Sequence, residues 1–179
     1  MKKIEKEDWY TTGLAILEKE GFSRITIENL CLELSITKGS FYHHFGNIDG
    51  YIESLMKYWL QKNTISFIEK SETGDNTPVR KFEMLLNTVT QSSYSAEQVI
   101  RAWSYSNPIV KKFVAKTDEL RLSYITSLNE TEGLENQMAH NMAVLKYAIL
   151  IGMQQLSPDS YKTQLKEIYS MLVQRNSIL

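Results

Sequence analysis

Between positions 34 and 48 the chain carries no acid. The same window holds Lys38, His43 and His44 together with the hydroxyls of Thr37, Ser40 and Tyr42. These groups donate hydrogen bonds to phosphate oxygens, and a carboxylate among them would repel the phosphates they meet. Lys38 can reach a base edge or a phosphate. Tyr42, Thr37 and Ser40 can bond phosphates, and His43 or His44 can do so most strongly when protonated. Gly39 belongs to the same run. Upstream, Thr26 can cap a helix whose first N–H groups face another phosphate. The plain alternative is a solvated surface turn, with Tyr42 packed on a neighbouring helix. Phe41 and Phe45 read as core in either case.

Other chemistries find no constellation. His43 and His44 are adjacent, so on a helix their side chains diverge by about 100°, and His140 stands apart. One cysteine excludes an internal disulfide and any Cys-pair zinc site. No HExxH, GxSxG, GxGxxG or Walker loop occurs. The carboxylates are spread along polar faces. The expectation is a protein that is not an enzyme and has neither metal nor cofactor.

Short helices must position the acid-free window. A helix over about 5–20 ends at Gly21, which accepts left-handed geometry. Thr26 caps a second over about 27–34, and Thr37 a third over 38–43. Asn47 caps a long helix predicted to run from 48 to about 70. Two short helices on a tight turn, backed by a preceding helix, have the proportions of a helix-turn-helix. Ile27, Leu30, Leu34, Ile36, Phe41 and Phe45 can supply its small core. Cys31 is small enough for close helix packing.

The 179 residues are 42% hydrophobic and 23% charged, with a formal charge of −1. Near neutrality gives the whole chain no pull toward nucleic acid or membrane, so any attraction to phosphates must be local. Eight glycines and three prolines are too few turns for a sandwich or barrel, and the expected fold class is all-α. The prolines follow Thr77, Asn107 and Ser157, all good caps, so helices are predicted to start at Pro78, Pro108 and Pro158. Residues 71–77 read as a loop and Gly133 as a break. The N-terminus lacks a signal-peptide core, and no apolar run approaches the roughly 20 residues that cross a bilayer. The expected location is therefore cytoplasmic, away from membranes.

The stretch GLAILEKEGFSRITIENLCLELSITKGSFYHHFGNIDGYIESLMKYW resembles the DNA-binding region of the TetR (TetR/AcrR) family of bacterial transcriptional regulators. The family's glycine-aromatic turn is Gly21-Phe22. Its threonine-led second helix is Thr26-Ile27 with Leu30. Its short helix ending in Tyr-x-x-Phe is the run from Ile36 with Tyr42 and Phe45. More loosely, Ile100-Arg101-Ala102-Trp103 through Asn107-Pro108, then Arg121-Leu122, resemble one branch of the family's C-terminal domains. The chain departs from the pattern at Gly13 and Cys31, where alanine is common, at Ser35, usually the glycine of the turn, and at Ile48, often a phosphate-binding lysine. A left-handed Ser35 would cost about 1–2 kcal/mol, and Gly13 about 1 kcal/mol of helix propensity.

The resemblance implies a three-helix DNA-binding domain over 1–47, joined by a long helix to a ligand-binding and dimerisation domain over 48–179. It also implies a double-stranded DNA operator, roughly palindromic, a small-molecule effector that releases the repressor, and a homodimer. A rival reading keeps the fold but gives it mainly a protein partner. Ile48 and the first fifty residues' six Lys and Arg against eight Asp and Glu favour that rival.

In the C-terminal part, Trp59, Phe82, Trp103, Tyr105, Tyr124 and Tyr147 are the candidate ligand-binding residues, because pockets join apolar walls to a few placed polar groups. Each could equally be core. The absence of clustered arginines points to an apolar or amphipathic effector. Met138, Met142, Leu145, Ile149, Gly152 and Leu156 recur at heptad-like steps, as do Tyr161, Leu165, Ile168 and Leu172. These seams are assigned to an intermolecular four-helix bundle, which the resemblance also implies. The alternative is that they pack within one chain. Ala143, Tyr147, Leu150 and Met153 form a second apolar face on the first of these helices.

Overall fold

The computed structural model describes residues 4–73, 77–156 and 160–176, with side chains as far as residue 171. Every regular element among them is helical. Helix α1 (Lys6–Glu20) is entered through a capping box of Glu5 with Asp8 and ends at Gly21. A 3-10 turn (Phe22–Arg24) leads to α2 (Ile27–Glu33), then α3 (Lys38–Phe45), which runs two residues past its expected end and stops at Gly46, φ 72°. Asn47 caps α4 (Ile48–Leu60) by accepting from the Gly50 N–H.

The single long helix predicted over 48–70 is interrupted. A π-helical turn (Gln61–Ile65) separates α4 from α5 (Ser66–Ser71). A π turn lengthens the helical repeat without needing a glycine or proline, so nothing in the residue types announces it. Helices α6 (Pro78–Gln91) and α8 (Pro108–Thr131) start at their prolines, with α7 (Ser95–Trp103) between them. Asn107 caps α8, its Oδ1 accepting from the N–H groups of Ile109 and Val110 at 2.9 and 3.1 Å. Helices α9 (Asn136–Leu156) and α10 (Tyr161–Asn176) follow. The predicted start at Pro158 lies outside the described residues.

The chain forms two compact units, Met1–Ile65 with Ser93–Thr117, and Ser66–Ser92 with Asp118–Leu179. This division differs from the expected boundary at 47/48. In the first unit α4 buries Tyr51, Ile52, Leu55, Met56, Trp59 and Leu60, an apolar face that needs the preceding helices to cover it. Helix α7 packs on α1. There Ser93 Oγ donates to Glu18 at 3.2 Å, and the Trp103 ring stacks on Phe22 at 5.9 Å.

In the second unit Ile125, Ala143 and Tyr147 form a buried cluster with Phe82, Leu85, Leu122, Leu150 and Ile151 around it. The fully buried Asn129 donates from Nδ2 to the Ala139 carbonyl at 2.8 Å and accepts from Lys146 Nζ at 2.7 Å. Burial pushes the Lys146 ammonium below its ordinary pKa.

The α10 seam assigned to a dimer is in part covered within the single chain. Tyr161 and Leu165 are 1% and 0% exposed within the unit, because a heptad-like spacing serves packing inside a chain as well as between chains. Ile168 is half-buried, and the side chain of Leu172 lies outside the described residues. On α9 the second apolar face, with Ala143 and Tyr147, is the buried one. In the other seam Leu145 and Leu156 are 45% and 81% exposed, and Met142, Ile149 and Gly152 are half-buried. Among the described residues, no helix is long and apolar enough to cross a membrane.

Candidate nucleic-acid interface

Helix α3 stands on an aromatic platform. Phe41 is fully buried, with the rings of Trp9, Phe45 and Tyr51 at 5.5, 5.4 and 5.7 Å. Phe45 in turn meets Trp9 at 5.4 Å and Tyr51 at 5.0 Å. Edge-on aromatic pairs at such distances add to area burial, so the azimuth of α3 about its own axis is fixed from beneath. Lys38 and Tyr42, four residues apart, flank the stripe of Phe41 and Phe45, and both side chains are exposed. Thr37, Lys38, Gly39, Tyr42 and His43 are all exposed, and Ser40 is half-exposed.

The two helices are locked by their turn. Thr26 Oγ1 accepts from the Asn29 N–H at 3.2 Å, and Asn29 Nδ2 donates to the Arg24 carbonyl at 2.9 Å. The Thr26 hydroxyl is thus engaged as a cap. Ser35 adopts φ 54°, the left-handed geometry expected at the turn. The Ile36 N–H closes the turn onto the Cys31 carbonyl at 2.9 Å. Thr37 caps α3 through its backbone conformation, with no side-chain cap bond. His44 turns away from the outer face, its ring 6.1 Å from that of Trp9. Of the rest of the predicted DNA-binding set, Thr37, Lys38, Gly39, Tyr42 and His43 are exposed, and Thr26 and Ser40 are half-buried.

One functional neighbour escapes a reading along the chain. Lys38 Nζ donates to Glu28 Oε1, so a carboxylate returns through space to the window that lacks acids in sequence. The hydrogen bond and charge of Lys38 hold the Glu28 carboxyl below its ordinary pKa, and Glu28 raises that of Lys38 in return. The pair spans ten residues and two helices.

The six ligand candidates divide between the units. Trp59 and Trp103 are buried in the first, whereas Tyr105, 94% exposed just past the end of α7, stands in solvent. In the second, Phe82 is half-buried with Lys146 Nζ 4.5 Å from its ring centre. Tyr124 donates to Glu72 Oε1 at 2.6 Å and shares a 2.7 Å hydrogen bond with Ser71 Oγ. Tyr147 donates to Asp118 at 2.7 Å and accepts from Arg121 at 3.1 Å. A cavity of about 230 Å³ in this unit is lined by Ser71, Arg80, Glu83, Met84 and Asn87, none of which was a candidate.

The family model for bacterial regulatory proteins, tetR family, matches residues 11–55. Over nearly the whole chain the fold is similar to that of a TetR transcriptional regulator from Legionella pneumophila, at 12% identity and a TM-score of 0.74, covering 94% of this chain and 99% of that one. It is also similar to a candidate transcriptional regulator from Pseudomonas aeruginosa PAO1, at 15% identity and 0.79, covering 96% and 91%. A TetR/AcrR family member aligns at 15% identity and 0.81, covering 93% and 96%. At these identities the likeness is one of fold. No curated protein matches the chain in sequence.

Proposed function

We propose that this chain, whose residues 11–55 belong to the TetR family of bacterial regulatory proteins, is a homodimeric, ligand-responsive transcriptional repressor. Helix α3 docks in the major groove of a roughly palindromic operator. The observation that carries this reading is the set of exposed donors on α3, Thr37, Lys38, Tyr42 and His43, held on a helix with a buried aromatic base. Lys38 and Tyr42 lie one helical turn apart and bond phosphates or base edges, while the platform fixes their direction. Lock-in of the donors before contact lowers the ordering cost of binding.

A dimer places two such helices at a spacing of one or more turns of DNA. The exposed Leu145 and Leu156 on α9 supply apolar surface for that contact. A small apolar or amphipathic effector that prefers a conformation with another head separation releases the DNA. The stack of Phe22 on Trp103 ties α7 to the turn that feeds α2, so a shift of α7 reaches the DNA-binding helices through packed rings.

Selection of duplex fragments from a random pool by the purified protein tests the proposal. One enriched palindrome supports it, and no enrichment at low salt favours the protein-partner reading.

A further inference from the structure

We infer that Glu28 sets how strongly this head binds DNA by holding Lys38, as a positioning residue that takes the place of a phosphate on the free protein. The inference rests on the DNA-binding reading above. Lys38 is the first residue of α3, where the positive end of the helix disfavours a cation. Glu28 stands in the first turn of α2, where the same effect favours an anion. The two side chains are 55% and 65% exposed. The pair therefore lies on the surface, at the edge of an open depression whose lining includes Glu28, Ser35, Thr37 and Lys38. The left-handed Ser35 and the Ile36 to Cys31 hydrogen bond fix the turn between them, so the fold itself sets their approach.

The consequence for binding is electrostatic. A free lysine that meets a phosphate releases condensed counterions, and Lys38 already has an anion beside it. Duplex DNA must displace Glu28 or accept its charge nearby, and in both cases Lys38 contributes less to affinity and salt dependence. Contacts with phosphates alone make up non-specific binding, whereas a specific site adds base contacts. Glu28 therefore weakens binding wherever Lys38 meets a phosphate, on arbitrary DNA and on the operator alike.

Fluorescence anisotropy of the full chain with a random-sequence duplex and with a selected duplex, at several salt concentrations, tests this. Glu28→Gln should tighten the random duplex about two- to five-fold, the range for an exposed ion pair. It should also steepen the salt slope by about one unit. The selected duplex should gain by a similar factor. Glu28→Asp should restore most of the wild-type behaviour, and most of the gain from Glu28→Gln should vanish in a Lys38→Gln background. An equal gain in that background would show a general charge effect and overturn the inference, as would unchanged affinity and slope in Glu28→Gln. Absence of duplex binding by every variant and by the wild type would instead overturn the DNA-binding reading on which it rests.

Discussion

The phenol of Tyr51 fills the space that a β-carbon on Gly13 would need. Its hydroxyl donates to the Trp9 carbonyl at 2.9 Å, and a Cβ built on residue 13 would lie 2.0 Å from that oxygen and 3.2 Å from the ring. Tyr51 is fully buried, so the ring has nowhere to swing. Helix propensity alone favours Gly13→Ala by about 1 kcal/mol. Overpacking costs about 1–3 kcal/mol, and the clash decides the sign. Gly13→Ala should lower the urea midpoint. Because Tyr51→Phe removes the clashing oxygen, the double variant should be less destabilised than the sum of the singles.

The two faces of α3 should separate cleanly in mutants. Phe41→Ala removes a fully buried ring and should cost about 3–5 kcal/mol of stability. Tyr42 is 51% exposed, so Tyr42→Ala should leave the thermal midpoint near wild type while weakening operator binding and lowering the salt slope by about one unit. Thermal melts paired with anisotropy titrations check both.

The dimer contact should follow exposure on α9. Leu145 is 45% exposed and Leu165 is fully buried. Leu145→Glu should give a folded monomer in sedimentation, whereas Leu165→Glu should unfold the second unit, since a buried unpaired carboxylate costs several kcal/mol. A Leu145→Glu protein that stays dimeric would place the interface elsewhere.

Two tyrosines should make stability fall in alkali. Burial, then the hydrogen bond to Glu7, pushes the Tyr58 phenol up to about 12. Burial, then the bond to Glu72, does the same for Tyr124. In the unfolded chain a phenol titrates near about 10. Between those values the folded state keeps protons that the unfolded state has lost, so stability declines as pH rises. The contribution is complete below the unfolded value and gone above the folded one. Urea titrations across this range should show the decline, flattened in Tyr58→Phe and Tyr124→Phe.

What was legible in the sequence was whatever local chemistry enforces. Gly21, Thr26, Asn47, Pro78 and Asn107 mark helix ends because caps and turns act on neighbouring backbone, and the structure puts ends at each of them. Ser35 is left-handed where the resemblance places the glycine of the turn. Features that depend on through-space partners were not legible. The Glu28–Lys38 pair closes only when α2 and α3 fold onto one another. Gly13 reads as a weak helix residue until Tyr51 arrives from α4. The spacing of the α10 seam suits packing inside a chain as well as between chains, and burial of Leu165 emerges only in the folded chain.

The central claim, that α3 enters the major groove as one of a symmetric pair, is tested most directly by dimethyl sulfate probing of a selected duplex bound to the protein. The reagent methylates guanine N7 in the major groove and adenine N3 in the minor groove, which separates the two faces of each base pair. Guanine N7 protection is expected in two tracts on one side of the duplex, centred about one helical turn or a multiple of it apart, with loss of that protection in Tyr42→Ala at the same protein concentration. A saturated complex in which every guanine N7 stays reactive while adenine N3 is shielded would contradict it.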